Sequence, residues 1–210
     1  MSQRRLLIDN DAFILLAGAG YLQTGVEVLG FAFEDARRLD SLEFMLRKQA
    51  KCLLKYFAEV RNRALEQCSR VPGLNERPAV TVLAQFAEVP NMDDGEALLY
   101  GLAAELPLHY LASNDKQAMV AVATDPRLTA IRAAVAGKVI CVEAVTRLLI
   151  AADGAGAVAE RFGGLNCSDK RLASILSPAT TGRPEDCLTA ADSNLESLRR
   201  QLGTDFLFQP

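Results

Sequence analysis

The chain has few of the residues that nitrogen- or sulfur-based metal sites need. It has one histidine and no tryptophan among 210 residues, and its five cysteines are widely spaced, without any C-x-x-C pair. An odd number of scattered cysteines supports neither a zinc site nor a disulfide framework. We therefore expect reduced thiols in a cytoplasmic protein.

The sequence also lacks a clean apolar run of membrane-spanning length and a strong excess of one charge. Polar residues interrupt the apolar region 12–33 before about 18 apolar residues accumulate, and no signal-peptide cleavage site follows it. The formal net charge of -3 disfavours a strongly basic nucleic-acid binder. Residues 34–70 are nevertheless locally basic. We expect a soluble protein with no membrane partner.

Segments typical of strands and helices alternate along the chain, whose apolar content of 50% is ample for a core. Aliphatic runs predict strands at 6–8, 79–86, 108–113 and 138–142. Three- and four-residue periodicity predicts helices at 11–20, 33–69 (two helices), 92–106, 116–123, 125–136, 143–153, 155–162, 168–176 and 185–202. This alternation predicts a three-layer α/β/α fold with a central, mainly parallel sheet.

The chain also suggests a division into two parts. We expect residues 1–150 to form the α/β domain and residues 151–210 to form a helical C-terminal extension packed on the same domain. The segment 177–186 has loop composition, and we expect it to be mobile.

Acidic residues follow two of the predicted strands. Asp9 and Asp115 come directly after aliphatic runs, and Glu96 lies in the first turn of the helix predicted at 92–106. In parallel sheets functional residues gather beyond the carboxyl ends of strands. We expect all three acids to share one crevice if the first and third predicted strands are neighbours.

Such a cluster would need a counter-ion. Two carboxylates about 4 Å apart repel by about 4 kcal/mol at an effective dielectric constant near 20. A divalent cation removes this repulsion, and ligands that are all oxygen select Mg²⁺ or Mn²⁺ over zinc. Helix capping competes with ligation for Asp9 and Asp115, as it does for Asp93 and Asp94 before the helix 92–106. From the sequence alone, Asp11 is either a metal ligand or a residue on the helix surface that points away from the site.

Three segments in order, "LLIDNDAFILL", "MDDGEALLYGLAAEL" and "LHYLASNDKQA", resemble the PIN-domain nuclease family over roughly residues 4–145. The resemblance implies catalytic roles for Asp9, Glu96 and Asp115, which would hold Mg²⁺ or Mn²⁺ together with Asp11. Ser113 stands at the small hydroxyl position of the last motif. Asn10 and Asp94 are secondary candidates for the site.

The same resemblance implies an activity and partners. The protein would be a metal-dependent endoribonuclease in which an activated water attacks phosphorus, so no protein nucleophile is needed. Expected partners are an RNA substrate, a small antitoxin or another protein if the chain is a toxin-type member, and a second copy in a homodimer. The chain departs from the family at Gln117, where many members have a fourth acid; Asp11 would supply the missing charge.

Two other hypotheses remain open at the sequence level. "DND" also resembles the D-x-D motif of haloacid-dehalogenase-like phosphatases, with Asp9 as nucleophile and Asp11 as general acid. Phe13 stands where that family has a small residue, and no acidic pair follows Lys138. The third hypothesis is a catalytically degenerate PIN-like module that binds RNA or protein without turnover.

Overall fold

A parallel sheet forms the centre of the protein. The computed structural model describes residues 4–165 and 169–209. Within these residues the strands are β1 (Arg5–Ile8), β2 (Ala36–Arg38), β3 (His109–Ser113) and β4 (Val139–Cys141). They lie in the order β2-β1-β3-β4, and each neighbouring pair is parallel. The predicted α/β class with a parallel sheet is confirmed, and the first and third predicted strands, now β1 and β3, are paired neighbours.

Helices connect the strands and cover the sheet. They are α1 (Asn10–Gly18), α2 (Leu22–Val28), α3 (Ser41–Lys48), α4 (Ala50–Lys55), α5 (Ala58–Cys68), α6 (Val80–Leu83), α7 (Asp94–Glu105), α8 (Lys116–Thr124), α9 (Thr129–Val135), α10 (Val142–Asp153), α11 (Ala155–Gly163), α12 (Lys170–Thr180) and α13 (Asp186–Leu202). Short 3-10 turns lie at 33–35, 84–86 and 126–128. Among the described helices, none combines the length and apolarity needed to cross a bilayer.

Both faces of the sheet are buried, which explains the uninterrupted aliphatic run at its centre. Leu6 and Ile8 of β1 belong to one apolar cluster, which includes residues of α1, α2 and α10. Leu7 points to the other face and packs in a second cluster with residues of α7, α8 and α9. Because successive strand residues alternate between faces, a strand covered on both sides must be apolar throughout.

The strand predicted at 79–86 is wrong. This segment forms the short helix α6 and a 3-10 turn, and it packs against α7 outside the sheet. Val80 is 82% exposed, so β-branched composition here does not reflect burial in a sheet. A segment with β-branched composition forms a strand only where a neighbouring strand is available to pair with it.

The prediction of two helices over 33–69 is also wrong. The region contains β2 and the three helices α3, α4 and α5. β2 reads "ARR", a sequence without an apolar run, yet it is the edge strand paired with β1. The buried Arg38 guanidinium donates to the carbonyl oxygens of Cys68 and Val71 and forms an ion pair with Glu43. The two carbonyl partners allow a buried arginine at the end of this strand, and the local sequence pattern does not show them.

The C-terminal residues pack on the α/β unit. Helix α13 contacts α10 and α8, and its Leu195, Leu198 and Leu202 are buried in the second apolar cluster. The chain then returns to the sheet, where Leu207 bridges to Val139 of β4. The segment 177–186, expected to be a loop, begins with the last residues of α12, which runs to Thr180 despite Pro178.

Candidate metal centre

A pocket of about 330 Å³ opens at the carboxyl edge of the sheet. Asp9 follows β1, Asp115 lies two residues after β3, and Glu96 is in the first turn of α7; all three line this pocket. The other lining residues are Asn10, Asp11, Leu39, Ser41, Phe44, Met45, Gln49, Asp93 and Gly95. We call it the carboxylate pocket. The three acids singled out by the sequence are thus brought together.

Asp9 is the buried member of the group. It occupies the position before α1 and is 8% exposed, but its side chain does not cap that helix. Ser113 Oγ donates to Asp9 Oδ2 at 3.5 Å and accepts a hydrogen bond from the backbone nitrogen of Asp115 at 3.1 Å. The hydroxyl of Ser113 therefore links the ends of β1 and β3.

Asp115 caps a helix and also lines the pocket. Its Oδ1 accepts hydrogen bonds from the backbone nitrogens of Gln117 and Ala118, at 2.7 and 2.9 Å, at the start of α8. The described residues donate no hydrogen bond to its Oδ2. Asp115 is thus a helix cap, as the alternative interpretation of the sequence expected. The cap uses only Oδ1, so Oδ2 remains available for a ligand.

Glu96 forms a capping box with Asp93 at the start of α7. The Glu96 backbone nitrogen donates to Asp93 Oδ1 at 2.8 Å, and Glu96 Oε2 accepts from the Asp93 backbone nitrogen at 2.9 Å. Gly95 allows this turn to approach β2, because a Cβ there would lie 3.0 Å from Leu39 Cδ1 and 3.2 Å from Asp93 Oδ1. Asp94 is exposed and lines a neighbouring pocket instead.

The pocket raises the proton affinity of Asp9 and Glu96. Burial, and then the charge of Asp11, raise the pKa of Asp9 to about 7, although backbone hydrogen bonds from Asn10 and Asn114 oppose the shift. Burial and the negative charges of Asp93, Asp115 and Asp9 raise the pKa of Glu96 to about 8, against a backbone hydrogen bond from Asp93. Desolvated carboxylates in one another's field resist ionisation.

No ion pair within the described residues involves Asp9, Glu96 or Asp115. Nor do any three His, Cys, Asp or Glu side chains, within 4–165 and 169–209, stand in a ready-made arrangement for a metal ion. Glu96 Oε2 and Asp115 Oδ1 are turned toward helix amides, so a shared ion requires their other oxygens or bridging waters.

Asp11 and Asn10 also line the pocket, but the Asp11 carboxylate is already bound. Lys55 Nζ lies 2.6 Å from Asp11 Oδ2, and the Tyr56 hydroxyl donates to Oδ1 at 3.1 Å. Asn10 Nδ2 points to Met45 Sδ at 3.8 Å, and Asn10 Oδ1 is buried without a hydrogen-bond partner in the described chain. Its role as a secondary site residue stays a prediction.

Three other residues weighed from the sequence lie away from the carboxylate pocket. Gln117, at the position of the missing fourth acid, is exposed and lines a different pocket. His109 begins β3, at the opposite edge of the sheet. Lys138 precedes β4 at that same edge, where its ammonium donates to the carbonyl oxygens of Ala103 and Leu106.

A second polar cluster lies beside the pocket, and no local sequence pattern predicts it. Lys116 Nζ is 2.9 Å from Glu143 Oε2, Arg171 Nη1 is 3.9 Å from Glu143 Oε1, and Asn114 Nδ2 donates to Asp169 Oδ2 at 2.9 Å. We call these five residues the outer network. It joins the residues on either side of Asp115 to α10 and to α12 of the C-terminal extension.

Tyr100 is a buried residue in the field of these acids that our sequence reasoning missed, although it does not line the pocket. It is 1% exposed, and its hydroxyl has no hydrogen-bond partner among the described residues. Burial, with the charges of Glu96, Asp9 and Asp115, raises the pKa of Tyr100 well above its usual value, so the hydroxyl keeps its proton. The signal was its position four residues after Glu96, which places both on one face of α7.

Comparisons with protein-family models, with curated proteins and with solved structures found no match to this chain.

Proposed function

We propose that the protein is a metal-dependent endoribonuclease that hydrolyses RNA phosphodiesters in the carboxylate pocket. The observation that carries the proposal is the gathering of Asp9, Glu96 and Asp115 at the carboxyl edge of a parallel sheet without any cationic partner in the described chain. None of the three acids has a salt bridge within the described residues, and the fold raises the pKa values of Asp9 and Glu96; such acids indicate a functional site.

The donor set fits a hard divalent cation. The three acids offer carboxylate oxygens only, and no histidine or cysteine lines the pocket. Such a set favours Mg²⁺ or Mn²⁺, which keep several water ligands and so tolerate carboxylates that do not all ligate directly. The unpartnered hydroxyl of Tyr100 is a further donor in the same field. Asp9, Glu96 and Asp115 would hold the ion.

When bound, the ion would supply Lewis acidity and charge neutralisation for phosphodiester hydrolysis. The residues of the chain orient the site. Ser113 fixes Asp9 relative to the start of α8, and the capping box fixes the backbone that carries Glu96.

The surroundings of the pocket suit a polyanionic substrate. Phe44 lines the pocket and is 69% exposed, so its ring is available for base stacking. Arg47, Lys48 and Lys51 are exposed on α3 and α4 and form no ion pair with the described residues. A second pocket of about 590 Å³, which contains Arg77, shares lining residues with the first and extends it along the surface. Together these groups offer phosphate contacts leading to the acids.

The haloacid-dehalogenase alternative receives less support from these positions. That chemistry requires Asp11 to act as a general acid close to Asp9, whereas Lys55 and Tyr56 bind both of its oxygens. Lys138 lies at the opposite edge of the sheet, with its ammonium bound to main-chain carbonyls.

The test compares Asp9→Asn and Asp115→Asn with the wild-type chain on a labelled single-stranded RNA and on a structured RNA, with Mn²⁺. We expect at least about a 10³-fold loss of cleavage in each variant, because carboxylate-held metal contributes several kcal/mol to the transition state. Asp192→Asn is the control, since Asp192 is an exposed acid paired with Arg147. Full activity in both pocket variants would contradict the assignment.

A thermal shift separates an active nuclease from a degenerate module. At a hundredfold excess of Mn²⁺ over Kd, the wild-type chain should gain about 2.7 kcal/mol of stability, and Asp9→Asn should gain much less. Stabilisation by Mn²⁺ without cleavage of either RNA would favour the binding module. A trapped fluoroaluminate or beryllofluoride adduct on Asp9 would favour the phosphatase.

A further inference from the structure

Two more acids stand at the same edge of the sheet as the carboxylate pocket, and lysines neutralise both of them. Asp11, in the first turn of α1, pairs with Lys55 at 2.6 Å. Glu143, in the first turn of α10, pairs with Lys116 at 2.9 Å. The three inner acids, Asp9, Glu96 and Asp115, have no such partner within the described residues.

Both carboxylate oxygens of Asp11 are bound by other side chains. Lys55 binds Oδ2, and the hydroxyl of the next residue, Tyr56, donates to Oδ1 at 3.1 Å. Lys55 is the last residue of α4, so consecutive residues of one segment reach the two oxygens of one carboxylate. A second ion that used Asp11 as ligand would have to displace this lysine and would then meet its positive charge.

Glu143 is still less available. Its side chain is 1% exposed, and Lys116 and Arg171 both approach it, at 2.9 and 3.9 Å. Removing it from these cations would leave a buried charge uncompensated. Asp11 and Glu143 are thus committed to side-chain cations, unlike the three inner acids.

We infer that the carboxylate pocket binds a single divalent cation, and that Lys55 is a positioning residue that occupies the place of a second one by holding Asp11. The inference rests on the proposed function, since it assumes that the inner acids hold a metal. It assigns Lys55 a role that its place on a solvent-exposed helix end does not suggest.

The experiment counts Mn²⁺ bound to the full-length chain, by the loss of the free-Mn²⁺ electron paramagnetic resonance signal during titration with MnCl₂. The wild-type protein should bind one ion. Lys55→Met, which frees Asp11, should bind two. The matched control is Lys51→Met, one turn earlier on α4. This exposed lysine forms no ion pair with the described residues, and the count should stay at one.

A double variant ties the second ion to Asp11. Adding Asp11→Asn to Lys55→Met should return the count to one, and Asp11→Asn alone should leave the count at one with less than a tenfold change in Kd. The side chains of Lys55 and Asp11 are 43% and 40% exposed, so we expect all variants to fold, with metal-free melting curves as the check.

The outcomes are distinct. Two ions on the wild-type chain, or one ion on a folded Lys55→Met protein, would overturn the inference and leave the nuclease proposal standing. A tenfold or larger rise in Kd in Asp11→Asn would also overturn it, because Asp11 would then already be a ligand. No bound ion on the wild-type chain would overturn the proposed function itself.

Discussion

The carboxylate pocket and the outer network lie side by side at one edge of the sheet, yet they differ in whether their acids have cationic partners. In the outer network, the buried Glu143 has Lys116 and Arg171 against it, and Asp169 accepts from Asn114. In the pocket, Asp9 and Glu96 have no cation beside them in the described chain, and their pKa values rise to about 7 and 8.

The difference separates structural from functional acids. A network in which each charge has a partner is stable as it stands, whereas a cluster that opposes its own ionisation costs stability until something else binds. We therefore expect mutations in the two regions to have opposite effects on stability.

The largest expected effect concerns the pH dependence of the pocket. The pKa of Asp9 rises from its ordinary value of 3.8 to about 7 in the folded protein, so the folded state holds a proton that the unfolded state releases. The associated stability is present below about pH 4 and is lost as the pH rises through 7; Glu96 extends the loss toward 8. For Asp9 the shift corresponds to about 4 kcal/mol.

Asp9→Asn should therefore lose less stability than the wild type between pH 5 and pH 8.5, measured by urea unfolding without metal, and the loss that remains comes from Glu96. Asp192→Asn, an exposed acid paired with Arg147, should keep the wild-type pH dependence. If the free energy of unfolding depends on pH in the same way in Asp9→Asn and in the wild type, the fold does not oppose the ionisation of Asp9. The contrast drawn between the pocket and the outer network would then be wrong.

The second effect comes from breaking the outer network. Lys116→Met leaves Glu143 buried with only the longer contact to Arg171, and we expect a loss of about 3 kcal/mol in the free energy of unfolding. Arg147→Met breaks an exposed pair with Asp192 and should cost less than about 1 kcal/mol.

Replacing both partners gives the sharper measurement. Glu143→Met combined with Lys116→Met should recover most of the loss, because no unpaired charge then remains buried. If Lys116→Met alone costs no more than Arg147→Met, the Glu143 pair contributes nothing special to the fold.

The contrast also explains which features the sequence could predict. Three of the four described strands and the three inner acids follow from local rules, since aliphatic runs mark buried strands and parallel strands end at one edge. The edge strand β2 does not, because Arg38 depends on carbonyl partners about thirty residues away. The prediction of a strand at 79–86 is wrong because none of the described strands lies beside this segment.

Charge partners are the least predictable feature of the site. Asp11 and Lys55 are 44 residues apart, and only the tertiary structure brings them together. The same holds for Lys116 with Glu143 and for Asn114 with Asp169. A sequence pattern can therefore indicate which acids gather, but the fold decides which of them remain without a cation.

The smallest expected effect tests whether the outer network belongs to the site or only supports it. Asn114 donates to Asp169 at 2.9 Å and adjoins Asp115, so Asn114→Ala removes a hydrogen bond to a carboxylate that links α12 to the pocket. We expect a loss of about 1.5 kcal/mol in the free energy of unfolding, with the count of bound Mn²⁺ unchanged and Kd within threefold of the wild type. Loss of Mn²⁺ binding at full stability would instead place Asn114 in the pocket, and the outer network would then act on the metal as well as on the fold.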